Sequence, residues 1–158
     1  MEIRPLGRDE VEKLLGLWKE FMNDPLAIDK PIPTHDENVK KQREFVSSLL
    51  EEDPGQVLVA VESGELVGYL MFQREVRPPL EMNHKLSYVT DLYVKPKYRR
   101  RGVARKLLQS CLNTLREKGA TDVQLRVWHM NQGAIALYRQ LGFKNRMITM
   151  QLLMQPGS

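Results

Sequence analysis

A single cysteine, Cys111, excludes an internal disulfide framework and fits a reducing compartment such as the cytosol. Histidine is scarce too: His35, His84 and His129 share no ligand spacing with one another or with Cys111, so no metal site is expected. No apolar run approaches the length of a membrane span, and Met1–Gly7 carries no signal-type apolar region; neither an anchor nor a leader is expected. The phosphate-binding patterns GxxxxGK[ST] and GxGxxG are both missing, which argues against a P-loop and a dinucleotide-binding Rossmann site. Internal repeats, low-complexity tracts and long linkers are absent as well, and the 158 residues suit one domain, 1–158.

What is present has the composition of a globular α/β chain: 42% apolar and 28% charged, with a net charge of +4 spread along its length. Glu2–Arg4 reads as a short opening strand. Asp9 with Glu12 forms a capping-box pattern ahead of Val11, Leu14, Leu15, Trp18, Phe21 and Met22, whose spacing predicts a helix from about Glu10 to Asn23. Prolines break the following stretch into a loop. Thr34 with Glu37 then predicts a second cap and a helix through Val39, Val46, Leu49 and Leu50. VLVAV and LVGYLMF around Glu62-Ser63-Gly64-Glu65 predict a hairpin, Arg74–Lys85 an irregular connection, and LSYVTDLYV a strand closing at Lys95-Pro96. Val103, Leu107, Leu108, Cys111, Leu112 and Leu115 repeat at helical spacing up to Gly119. VQLRV is a strand, QGAIALYRQL a helix ended by Gly142, and MITMQLLM (Met147–Met154) a last strand. The order is strand, two helices, three strands, helix, strand, helix, strand.

The most informative segment is Arg99-Arg100-Arg101-Gly102-Val103-Ala104, between a strand and a helix. A helix N-terminus offers unpaired N–H groups and a positive dipole end, and Gly102 lets the backbone approach an anion closely. Three arginines add charged donors, so a pyrophosphate is a natural ligand. On the residues alone a solvated or nucleic-acid-binding basic patch stays open, although Tyr98 is the sole adjacent aromatic.

Arg99-x-x-Gly102-x-Ala104, after a strand ending Leu-Tyr-Val, resembles the pyrophosphate signature of the GNAT superfamily of N-acetyltransferases. Asn131-x-x-Ala134-Ile135-x-x-Tyr138-x-x-x-Gly142-Phe143 is similar to that family's cofactor helix. The resemblance implies an α/β fold with a mixed, mostly antiparallel central sheet splayed in the middle and helices on both faces. It also implies acetyl-CoA (coenzyme A) as cofactor and an amine, small or peptidic, as acceptor, with no nucleic acid or membrane as partner; a homodimer stays open. Leu92, Tyr93 and Val94 would pair with the pantetheine amides through their backbone. The N–H near Leu92 would polarise the thioester carbonyl. The amides from Arg100 through Arg101, Gly102, Val103 and Ala104 would cradle the pyrophosphate, with Arg99 and Arg105 lending charge. Asn131 would bond the pantetheine arm, and Tyr138 would protonate the departing thiolate.

Tyr88 stands where some members of the family carry a glutamate base, which leaves Asp91 as the candidate to bind the amine or take its proton. A water relay is the alternative. From Asn23 to Asn38, Asp24, Asp29, Asp36 and Glu37 outnumber Lys30, which hints at a small cationic acceptor. The residues before Asn131, Trp128 and Met130, differ from the Arg and Ser of the protein N-terminal branch. A protein or peptide N-terminal or lysine acetyltransferase, and a non-catalytic CoA-binding module, are the other readings.

Overall fold

The structure, a computed structural model, describes residues 1–76 and 85–156. The greater part of the connection between Arg74 and Lys85, with His84, therefore lies outside the described residues. Among the described residues the helices and strands are, in order, β1 (Glu2–Pro5), α1 (Val11–Met22), α2 (Asp36–Glu52), β2 (Val57–Glu62), β3 (Glu65–Gln73), β4 (Leu86–Val94), α3 (Val103–Glu117), β5 (Asp122–Leu125) and α4 (Gln132–Gln140). The strands form one sheet in the order β1-β2-β3-β4-β5. The first four pair antiparallel and β5 joins β4 in parallel, which gives the mixed, mostly antiparallel sheet expected.

Strand alternation divides the core between two faces. Val57 and Val59 of β2 and Tyr69 and Met71 of β3 pack with Leu14, Leu15 and Trp18 of α1 and Val46 and Leu49 of α2. Their neighbours Leu58, Ala60, Leu70 and Phe72 point the other way, onto Val103, Leu107, Leu108, Cys111 and Leu115 of α3. Burial pushes the Cys111 thiol up to about 12, so it behaves as a small core hydrophobe.

The helix starts differ from the capping patterns in the sequence. Neither Asp9 nor Thr34 caps a helix. A turn of 3₁₀ helix, Arg8–Glu10, leads into α1, and Glu10 reaches back to accept from the Gly7 N–H at 2.9 Å. Both Arg4 Nη atoms donate to the same carboxylate at 2.8 Å. At α2 the cap is His35, whose Nδ1 accepts from the Asn38 N–H at 3.3 Å. An imidazole nitrogen displaces the threonine hydroxyl because the chain turns helical one residue later than expected.

The guanidinium of Arg4, with the Gly7 amide, holds the Glu10 carboxyl down to about 2 from an ordinary 4.5. A lowered carboxyl stabilises the fold above its unfolded value, and that contribution fades as pH falls from about 4.5 toward 2. Glu10→Gln should therefore lose roughly 1–2 kcal/mol at neutral pH in chemical denaturation, and the difference from wild type should shrink steadily below pH 4.5 and be nearly gone by pH 2.

The last expected strand does not form. Met147–Met154 has no regular secondary structure and is not one of the five strands of the sheet. Leu112 of α3 is only partly buried at the edge of its core.

Candidate active site

The candidate site lies where the sheet comes apart. β4 and β5 pair from Leu86↔Asp122 to Val89↔Leu125 and then separate, while β4 continues along β3 to Val94. From Thr90 onward one edge of β4 is thus open. In an antiparallel pair, successive residues direct their backbone groups alternately toward and away from the partner. The Lys95 N–H donates to Val67 O at 2.9 Å, so Tyr93 and Asp91 turn their backbone to β3 while Leu92 and Val94 turn theirs into the gap. Arg99 Nε donates to Val94 O at 2.9 Å, which leaves the Leu92 N–H as a donor on that open edge. Gly68 lets β3 lie close here, since a Cβ would come within 2.9 Å of Tyr93 O.

Beyond β4, Pro96–Tyr98 makes a 3₁₀ turn that delivers the chain to α3. Two departures from ordinary backbone follow, with φ of 61° at Arg100 and 76° at Gly102. The first intrahelical bond is Lys106 N–H to Gly102 O, so the amides of Val103, Ala104 and Arg105 sit at the helix start without helical acceptors. Space around Gly102 is open to a Cβ, and the positive φ is what favours glycine there.

The arginines divide their work. Arg99, expected to lend charge to the turn, instead pairs with Asp24 of the α1–α2 loop and lies 5.4 Å over the Tyr93 ring, on the α1 side of the sheet. Asp24 is thereby engaged within the fold. Arg101 stacks 5.4 Å over Tyr98 and stands 3.8 Å from Glu62. Arg105 bonds the Gln140 side chain and ties α3 to α4. Arg100 is exposed at the turn itself.

Asp91 owes its direction to a bulge. Register shifts between Met71 and Phe72, so that Met71 faces Asp91, Phe72 faces Val89, and Thr90 is the extra residue, its hydroxyl donating to Met71 O at 3.2 Å. Val89 therefore belongs to the α3 face, and Asp91 shares the α1–α2 face with Tyr93. The Tyr69 hydroxyl donates to Asp91 Oδ2 at 2.7 Å. Burial raises the Asp91 carboxyl to about 6 against the lowering effect of that bond, which puts its titration close to neutrality. Tyr69 was legible in the sequence only as a strand residue. Nothing in its spacing reveals a partner that the bulge brings opposite.

Tyr88 lies in the paired part of β4, where its hydroxyl accepts from Arg126 Nε at 2.7 Å. On the α3 face, Tyr138 is the one buried residue of α4. Its ring meets Phe143 at 5.8 Å, and its hydroxyl has no hydrogen-bond partner among the described residues. Burial lifts that hydroxyl up to about 12. Asn131 caps α4, its Oδ1 accepting from the Ala134 N–H at 3.3 Å, while its side-chain NH₂ keeps both donors for a ligand. Asp91 and Tyr138 thus stand on opposite faces of the sheet, beside strands that have parted. Among the described residues no three of His, Cys, Asp and Glu cluster as metal ligands, and no helix is long and apolar enough to cross a membrane.

The model of the acetyltransferase (GNAT) family matches residues 17–143. The chain belongs to that family. It is 35% identical over 107 residues to an N-alpha-acetyltransferase of Sulfurisphaera tokodaii, covering 63% of each chain. To N-acetyltransferase 8F1 of Mus musculus it is 34% identical over 127 residues, 80% of this chain and 51% of that one. The chain thus spans between half and two thirds of the length of these two relatives. Among solved structures, a predicted acetyltransferase with acetyl-CoA from Clostridium acetobutylicum superposes with a TM-score of 0.75 at 18% identity, over 96% of this chain and 95% of that one. At that identity the likeness is one of fold.

Proposed function

We propose that the chain, as one acetyltransferase domain, moves an acetyl group from acetyl-CoA to a primary amine, with a small cationic amine as the favoured acceptor. The observation that carries this reading is the parting of β4 from β5 directly before a left-handed turn at the start of a 15-residue helix. The gap offers an unpaired strand edge to an extended amide-bearing chain, and the turn offers free amides to phosphates, so the residues present fit the cofactor. Leu92 and Val94 would hold the pantetheine arm through the open edge, whereas Tyr93, whose backbone faces β3, is withdrawn from that role; the amides from Arg100 to Arg105 would hold the pyrophosphate, and the Asn131 NH₂ the arm's far side. The cofactor supplies an acetyl group activated as a thioester and departs as a thiol.

The protein's part is positioning and proton handling. The Leu92 N–H directs a donor to the acyl oxygen, where charge develops. Tyr138 Oη holds a proton at neutral pH and can give it to the departing sulfur. Asp91 Oδ draws the ammonium group of the acceptor to the α1–α2 face and takes its proton, a role suited to a carboxyl near 6.

The loop between α1 and α2 adds less to this than its composition promised, because Asp24 is held by Arg99. The preference for cations therefore rests mainly on Asp91, with the remaining loop acids Asp29, Asp36 and Glu37 behind it. Acceptors with a second positive group should outperform neutral monoamines of equal size, and the advantage should shrink as salt rises from about 0.05 to 0.5 M. The rate at subsaturating acceptor should also rise with pH through about 6, where Asp91 ionises, and Asp91→Asn should erase that limb. A preference for neutral acceptors, or a limb unchanged in the variant, would remove Asp91 from the mechanism. A second reading, acetylation of peptide N-terminal amines, draws support from the name of the Sulfurisphaera relative. Activity confined to peptides with a free α-amine would select it.

A further inference from the structure

Tyr69 is fully buried in the core that β2 and β3 share with α1 and α2, and its hydroxyl is carried into that core with the ring. A hydroxyl cut off from water needs a partner. Its partner among the described residues is Asp91 Oδ2, at 2.7 Å. A phenylalanine would fill the same space, so what the oxygen adds is the bond to this carboxyl.

The bond is a product of register. Tyr69 lies opposite Tyr93 and Met71 opposite Asp91, which makes Tyr69 and Asp91 diagonal neighbours on one face of the β3–β4 pair, a distance that a long aromatic side chain spans. Packing locks the ring, whereas Asp91 is only half-buried, so the fixed group orients the one nearer solvent. The surroundings offer Asp91 no competing partner. α1 turns Leu14, Leu15 and Trp18 to this face and α2 turns Val46 and Leu49. The titratable groups beside it are Tyr69 and Tyr93, and the charges of Glu20, Asp24 and Arg99 act on Tyr93. Among the described residues no cation pairs with Asp91. Its charge is opposed by burial and supported by the Tyr69 hydroxyl.

We propose that Tyr69 is a positioning residue for acetyl transfer: its hydroxyl fixes the orientation of the Asp91 carboxyl and favours the ionised form that meets the amine. It acts only through Asp91. The inference rests on the reading of Asp91 as the acceptor's carboxylate, and it adds the group that holds that carboxylate in place and in charge.

Tyr69→Phe removes one oxygen from a packed ring. Loss of a hydrogen bond to the charged form should raise the titration of the carboxyl by about one pH unit. NMR of protein carrying carbon-13-labelled aspartate reads this directly, with the Asp91 signal assigned by its loss in Asp91→Asn. The midpoint should be about 6 in the wild type and about one unit higher in Tyr69→Phe. The acid limb of the rate at subsaturating acceptor should move by the same amount. By about pH 9 the ratio of variant to wild-type rate should climb toward one, whereas a merely structural defect would lower it equally at every pH. Should Tyr69→Phe fail to fold, 3-fluorotyrosine in place of Tyr69 alone keeps the ring and strengthens the donor; both midpoints should then move down instead of up. An Asp91 midpoint unmoved by these changes, or a rate loss uniform in pH, would overturn the role of Tyr69. The Asp91→Asn profile tests the underlying reading separately. A limb that survives in that variant would remove Asp91 from the chemistry, and the positioning role would fall with it whatever Tyr69 does to the titration.

Discussion

Tyr138→Phe should lower kcat by about 10²-fold or more while leaving the affinity for coenzyme A unchanged, the usual scale for loss of a positioned general acid. The hydroxyl is free for that role, since it bonds nothing among the described residues and the ring alone contacts Phe143. Its removal should cost less than about 1 kcal/mol of stability, so the rate loss cannot be assigned to unfolding. With its titration lifted to about 12, Tyr138 stays protonated at every pH used in an assay. The defect should accordingly be flat from pH 6 to about 9. A variant with wild-type kcat would make Tyr138 a packing residue and leave the thiolate to be protonated by water.

Gly102→Glu should abolish cofactor binding. The position has φ of 76°, where a side chain costs roughly 1–3 kcal/mol, and a carboxylate there would oppose phosphates at the start of α3. Coenzyme A at about 100 times its Kd should stabilise the wild type by about 2.7 kcal/mol, which raises the Tm by about 5–10 °C in a chain of this size. The variant should show no such rise. Gly102→Ala, which adds the backbone strain without the charge, should keep part of it, since nothing lies within 4 Å of the added Cβ. A full shift in Gly102→Glu would place the phosphates elsewhere.

Much of this arrangement was readable from local pattern. The apolar faces of α1, α2 and α3, the hairpin β2–β3 and the turn at Gly102 each follow from spacing within a few residues. The turn proposed for the pyrophosphate could be singled out because strand, glycine and helix are contiguous. Asp91 was identifiable as a candidate, but its direction depends on the bulge at Thr90, a matter of register between two strands and not of either alone. Tyr69 and the Arg99–Asp24 pair escaped for the same reason: the first joins residues 22 apart, the second 75 apart. Composition made the α1–α2 loop look like an acidic acceptor wall, and tertiary pairing removed one of its acids. The segment Met147–Met154 has the pattern of a strand, yet pattern cannot supply the neighbouring edge a strand requires.

The decisive question is whether the residues at the parting of β4 and β5 perform acetyl transfer to an amine or hold coenzyme A alone. Release of free thiol from acetyl-CoA, followed with a thiol-reactive chromophore, answers it. The panel should contain an aliphatic diamine, a basic amino acid, an aminoglycoside, a neutral monoamine and a peptide with a free N-terminus. The expected result is thiol release that depends on at least one amine, equals the acetylated amine found by mass spectrometry, and falls about 10²-fold in Tyr138→Phe. Thiol release at the solvent rate with every amine, from a protein whose Tm coenzyme A still raises, would overturn the assignment of acetyl transfer to this site.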